Sequence, residues 1–378
     1  MVLTKEYDKP LGLEPRKRGR FARSDAVTAA TGLAVLGLSA WVALAPRPWR
    51  AATPPPAVAQ TQPPAPASEP AALPQVQQPQ AGGPQIVRVE PGTGGAATLS
   101  DPAKFPKSTV PSYLPDPALV ERTPEGQLPV RAADGRRPFD VYRRPLSSGR
   151  GARIAIVIGG LGLSQTGTQA AIQKLPPDVT LAFATSGNSL NRWMQEARRD
   201  SREILLQLPL EPFDYPQVDP GRNTLTVDAG ADENARRLRW SLGRTTNYAG
   251  VMNYMGARFS ADANAMKPLM DEIGRRGLMY FEDGSAPRSL AGELAPAARA
   301  PFTGADLVID GSRDRASILA QLDALEKTAR SRGSAIGMGY AFEATVDTVR
   351  EWSAAAATRG IEIVPLSALA ADPEREKR

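Results

Sequence analysis

The chain of 378 residues carries 46 Lys/Arg against 40 Asp/Glu and contains neither cysteine nor histidine. The first absence excludes a disulfide framework and a thiol nucleophile; the second removes the usual general base and the commonest zinc ligand. Residues 1–50 hold nine Lys/Arg and four Asp/Glu, so most of the excess positive charge sits at the N-terminus. No basic stripe marks the remainder as a nucleic-acid surface, and no nucleic-acid partner is expected.

In chain order, residues 1–25 form a basic segment, with Arg16, Lys17, Arg18, Arg20 and Arg23 close to an uncharged stretch at 26–45, AVTAATGLAVLGLSAWVALA. A helix of that length spans roughly 30 Å, the thickness of a bilayer's hydrocarbon. The charge bias predicts a single-pass anchor in a bacterial inner membrane, with the N-terminus cytoplasmic and the folded part periplasmic. A cleaved signal peptide is the alternative, since Ala43-Leu44-Ala45 has small residues at the cleavage spacing, and a buried soluble helix is the plainest reading. Residues 46–149 come next, as a Pro/Ala-rich linker: 22 of the 36 prolines lie between Pro46 and Pro145. Such a composition buries too little apolar surface to offset its ordering entropy, so the segment is expected to be a mostly disordered, semi-stiff tether. Only FDVYRRPL (139–146) reads as a piece able to pack on the domain C-terminal to it.

From Arg153 the texture changes. Apolar runs at 153–158, 179–184, 203–208, 248–253, 278–282, 306–310, 334–338 and 361–366 alternate with helical patterns near 165–175, 188–199, 232–243, 262–276, 289–300, 313–332 and 345–359. Strands apolar on both faces, separated by crossover helices, predict an α/β domain with a parallel sheet. Seven or eight such units over 150–370 suit a closed, distorted (β/α) barrel; an open doubly wound sheet is the alternative. Residues 371–378 read as a charged tail.

The first run, RIAIVIGGLGLS, empties into Gly159, Gly160 and Gly162. The dinucleotide fingerprint G-x-G-x-x-G is not met, and no Lys-Ser/Thr comes after the glycines as in a phosphate-binding loop. No cofactor is expected.

The glycines make better sense beside LLQLPLEPFDYP (205–216), GVMNYMGARFS (250–260), GLMYFEDGSAPRSLA (277–291) and SAIGMGYAFEATVD (334–347). In that order, across 153–369, these segments resemble the divergent polysaccharide deacetylase family, a branch of the NodB-like carbohydrate esterases. The resemblance implies a distorted (β/α) barrel, an envelope location, a link to carbohydrate metabolism and, in the best-known members, metal-dependent removal of acetyl groups from glycans. It also implies which positions matter. The family's two leading aspartates fall on Gly159 and Gly160, and its histidines on Gln207, Tyr254 and Tyr340. Asn253 and the acidic Asp283 match. The resemblance therefore points to a branch without the metal-binding His and Asp, and no metal is expected beyond a weak oxygen-ligated calcium.

Strand ends of a β/α barrel converge on one face. Gly159, Gly160, Gln207, Asn253, Tyr254, Asp283 and Tyr340 are thus the expected cleft, with Asp310 at another strand end and Glu211 and Asp214 nearby. The favoured reading is a membrane-tethered module that binds an envelope glycan or an envelope protein without hydrolysis. The alternatives are a hydrolase built on Asp283, Asp310 or Glu211, and a protein scaffold in which the old cleft is idle. For individual residues plainer roles stand beside these: Asp283 and Asp310 as caps of the following helices, Tyr254 and Tyr340 as filling of the mouth, Glu211 as an arginine's partner.

Overall fold

A computed structural model describes residues 111–146 and 151–375. The basic segment, the stretch 26–45, the linker up to residue 110 and the last three residues lie outside them, and the expectations for those parts with them. Among the described residues, no helix is long and apolar enough to cross a membrane.

Nine strands form one parallel sheet. They are β3 (Ala152–Leu161), β4 (Thr180–Ala184), β5 (Ile204–Leu210), β6 (Gly250–Met255), β7 (Met279–Glu282), β8 (Phe302–Gly304), β9 (Leu307–Val308), β10 (Ser334–Tyr340) and β11 (Ile361–Ile363). Their order is β8-β7-β6-β5-β4-β3-β10-β9, with β11 paired to the first residues of β3. The two ends of that order belong to one piece of chain. Only Ala305 and Asp306 separate β8, on β7, from β9, on β10. Those two residues bridge both edges: Ala305 N–H donates to the Glu282 carbonyl and Asp306 N–H to the Ile336 carbonyl, each at 2.8 Å. The sheet is therefore curled, with its edges spanned by one segment, and is not an open doubly wound sheet.

Alternation along the strands sorts side chains into two layers. Ala155, Val157, Ala182, Leu205, Met252, Met279, Phe281, Ile336 and Met338 form the inner cluster. Their neighbours Ile154, Ile156, Ile158, Leu181, Phe183, Leu206 and Val251 pack outward under the helices. Burial on both faces is why the strands read as continuous apolar runs. The crossover helices are Gln165–Lys174, Leu190–Arg199, Ala231–Leu242, Ala263–Arg276, Ala291–Ala298, Arg315–Arg332 and Glu343–Ala356. Three of them start at side-chain caps: Ser164 accepts from Gly167 N–H, Asp262 from Ala265 N–H and Asp314 from Ser317 N–H. Each satisfies an amide that the first turn leaves unpaired.

The linker expected over 46–149 needs correction for 111–146, which is folded. A 3-10 turn at Pro117–Leu119 leads into a hairpin of β1 (Val120–Thr123) and β2 (Gly126–Pro129), then a short helix, α1 (Pro138–Tyr142). Phe139 joins the inner cluster from the end where strands begin, its N–H donating to the Gly277 carbonyl at 3.1 Å. Arg137, 4% exposed, binds Asp372 at 2.6 Å, Asp140 at 2.6 Å and Glu374 at 3.4 Å. Asp372 and Glu374 belong to the expected charged tail, so residues 371–375 are part of the fold, and Ala371 pairs with Phe302. Composition misses this because the charges find partners more than two hundred residues away.

Candidate functional site

Strand parity builds the site. The inward positions Ala155 and Val157 lead to Gly159, Leu205 to Gln207, Met252 to Tyr254, Met279 and Phe281 to Asp283, and Ile336 and Met338 to Tyr340. Register aligns them: Gly159 lies opposite Tyr340, and Tyr254 opposite Pro209, two residues past Gln207. Five of the seven expected cleft residues therefore share the inner layer at the C-terminal end of the sheet. Gly160 and Asn253 have the other parity and reach the site differently.

Gly160 has φ +74°, a left-handed conformation that L side chains rarely adopt. The turn aims its N–H at Gln207 Oε1, 2.6 Å away. Gln207 is 2% exposed, and its Nε2 is buried without a hydrogen-bond partner. That nitrogen lies against Gly159, where an added Cβ would come within 2.9 Å of it and 2.7 Å of Met338 Cε. The Gln207 amide thus fills the room that a side chain at 159 would need.

Asn253 and Asp283 are locked together. Asn253 Nδ2 donates to Asp283 Oδ1 at 2.7 Å and to the Met255 carbonyl at 2.9 Å, while Asn253 Oδ1 accepts from Asp283 N–H at 2.8 Å. Asp283 Oδ1 also accepts from Ser285 N–H, so only Oδ2 remains without a hydrogen bond among the described residues. Tyr254 and Tyr340 are half-buried around this floor. Burial pushes the Tyr340 phenol well above the ordinary tyrosine range, reinforced by Asp283, Tyr254 and Asp310. It is therefore a neutral hydroxyl at any physiological pH.

The other two candidate carboxylates have structural duties. Asp310 Oδ2 accepts from Tyr340 N–H at 2.6 Å and Thr345 Oγ1 at 2.9 Å, which anchors the end of β10. Burial raises its carboxyl above the usual aspartate value. Neither Asp310 nor Asp283 caps the following helix; Asp314 caps the one after β9. Glu211, 2% exposed, is bound by Arg258 and by Val227 N–H, and braces the loop after β5. Asp214 lies exposed on that loop.

Sequence reasoning missed Glu282. It is 7% exposed, accepts from Ser289 Oγ at 2.7 Å, and has its other oxygen buried without a partner. Burial, with Asp283 beside it, raises its carboxyl to about 7. The signal was a charged residue at an outward, apolar position of a strand. Also missed was the ring contact that extends Tyr340 to Phe342, with centroids 6.3 Å apart.

A divalent metal needs convergent anionic or imidazole donors. This floor instead presents two glycines, an amide N–H and two phenols around one carboxylate. Among the described residues, no three His, Cys, Asp or Glu side chains form a ligand set. The donors present do not fit the metal that the resemblance implies.

A family model described as divergent polysaccharide deacetylase matches residues 156–370. An uncharacterised Agrobacterium tumefaciens protein of known crystal structure, ATU2773, is 55% identical, superposes with a TM-score of 0.63, and covers 65% of this chain and 99% of its own. An uncharacterised Haemophilus influenzae protein is 25% identical over 189 residues, half of this chain and 66% of the relative. The uncharacterised Escherichia coli protein YibQ is 22% identical over 199 residues, 53% of this chain and 61% of the relative. The match thus spans about two thirds of each of the last two relatives at most. With its glycine-ended first strand, its Asn–Asp pair and a family match over more than half its length, the chain belongs to the divergent polysaccharide deacetylase family.

Proposed function

We propose that this domain is a glycan-recognition module of the cell envelope, tethered by the apolar segment 26–45, that binds its ligand without metal-dependent hydrolysis. One observation carries the reading: the Gln207 amide occupies the space beside Gly159 and hydrogen-bonds Gly160 N–H at 2.6 Å. Metal-assisted deacetylation needs a cation to polarise the acyl oxygen and to lower the pKa of its water. Here Gln207 takes the Gly160 N–H instead, and Asp283 is the one carboxylate beside it.

What remains suits a sugar. Two half-buried tyrosines offer faces to a pyranose ring. Asp283 Oδ2 and the Tyr340 hydroxyl offer an acceptor and a neutral donor. A few polar groups fixing orientation within an apolar surround is the usual pattern of small-ligand sites.

The test combines elemental analysis of the dialysed protein with titration of acetylated chitin and peptidoglycan fragments. The expected result is no stoichiometric zinc, no acetate release, and binding of about −4 to −8 kcal/mol that Tyr254→Ala/Tyr340→Ala abolishes. One zinc per chain, with acetate release lost in Asp283→Ala, would establish the hydrolase instead. No binding by either protein, with a protein partner mapped to another face, would establish the scaffold.

A further inference from the structure

Resting on that glycan reading, we infer that the mouth selects a saccharide bearing a carboxylate, and that Arg313 receives the acid group. Arg313 lies in the loop between β9 and the helix Arg315–Arg332 and is exposed. Its Cζ stands 3.9 Å from the centroid of the Phe342 ring, whose own centroid is 6.3 Å from that of Tyr340. A continuous run therefore leads from the floor of the cleft to a guanidinium at its rim.

That guanidinium makes no ion pair or hydrogen bond among the described residues, although Asp310 feels its charge. Asp314 commits its carboxylate to Ser312 Oγ at 2.7 Å and Ser317 N–H at 2.9 Å. Asp310 commits Oδ2 to Tyr340 N–H and Thr345 Oγ1. Glu343, the residue after Phe342, forms no ion pair with it either. A guanidinium lying on a ring gains a cation–π attraction, and its five N–H donors remain in plane and free. Such a fork, already held in place, matches a planar carboxylate bidentately and loses little entropy on binding.

A second pair repeats the device. Arg288, exposed and likewise without an ion pair, lies 5.2 Å over the Phe213 ring, in the loop after Asp283. The Asp283 carboxylate at the floor repels an anion at the centre, so an acidic sugar is oriented with its hydroxyls on Asp283 Oδ2 and its carboxylate outward. A phenol or amide at 313 would serve a neutral glycan as well; an unpaired arginine discriminates.

The experiment titrates a uronate trisaccharide and chitotriose, in parallel, into the full-length protein in detergent, at low and high salt. Wild type should prefer the uronate by about tenfold, the value of one charge-assisted contact, with the preference shrinking as salt rises. Arg313→Ala should bring the ratio to about one, and Arg313→Lys should keep part of it. Unchanged thermal unfolding of these surface variants checks that they fold. Equal wild-type affinities, or a preference that survives Arg313→Ala, overturn the inference while leaving the glycan reading standing. Binding of neither sugar overturns both.

Discussion

Replacing Gly159 by alanine inserts one methyl group into a space already occupied. The new Cβ would lie 2.7 Å from Met338 Cε and 2.9 Å from Gln207 Nε2, both on buried residues. Met338 ends in a flexible thioether and can swing aside. Gln207 cannot retreat without releasing Gly160 N–H, which it holds at 2.6 Å. Overpacking of this kind costs about 1–3 kcal/mol, and for a domain of this size each kcal/mol lowers Tm by roughly 2–4 °C. Gln207→Ala alone leaves the Gly160 amide without its acceptor, at a cost of about 1–3 kcal/mol. In the double variant the added methyl enters the vacated space, so the combined loss should fall short of the sum by roughly 0.5–2 kcal/mol. Urea unfolding of the four proteins, with midpoints and slopes compared, gives the cycle directly. A Gly159→Ala variant within about 0.5 kcal/mol of wild type, or a strictly additive cycle, would refute the claim that Gln207 replaces a side chain at 159.

Other outcomes derive from the buried charges. Asp372→Ala should cost about 1.5–3 kcal/mol, the value of a hydrogen-bonded charged contact, because Arg137 at 4% exposure loses one partner but keeps Asp140 and Glu374, and urea unfolding will show it. The Asp372 carboxyl is held below the usual aspartate value, largely by Arg137 against the opposing effect of burial, so its contribution is present above about pH 4 and lost on acidification below it. Glu282 has the opposite sign. Its carboxyl is raised from 4.5 to about 7, so the folded state holds the proton more tightly and stability declines as pH rises between those values. Glu282→Gln should remove that decline, on the order of 3 kcal/mol, in unfolding midpoints compared at roughly pH 5 and pH 8.

Much of this architecture was legible in the sequence, and the reason is physical. Strands buried on both faces leave unbroken apolar runs, and helices packed on one face leave periodic ones, so the units from Arg153 onward announce themselves. The strand Phe302–Gly304 did not, since three residues cannot display an alternation. Nor did the segment 116–142, whose two four-residue strands carry no clear pattern and whose anchors, Gly277, Asp372 and Glu374, are remote in the chain. At the site, the family resemblance and the strand ends together singled out Gly159, Gln207, Tyr254, Asp283 and Tyr340 as an expected cleft. Glu211 does pair with an arginine, as its plainer role had it; that the arginine is Arg258, and that Gln207 reaches across to Gly160, could not be read there. Those outcomes depend on which side chain gets to a partner first, information that exists only in three dimensions.

Recognition of a glycan by a site rebuilt to dispense with metal is the claim on which the rest depends. Its most direct test is calorimetric titration of chitotetraose into the full-length protein, run once after exhaustive chelation and once with added zinc. The account predicts the same affinity in both runs, in the micromolar to millimolar range, about −4 to −8 kcal/mol, with no heat of turnover. Binding or hydrolysis that appears only when zinc is supplied would contradict it.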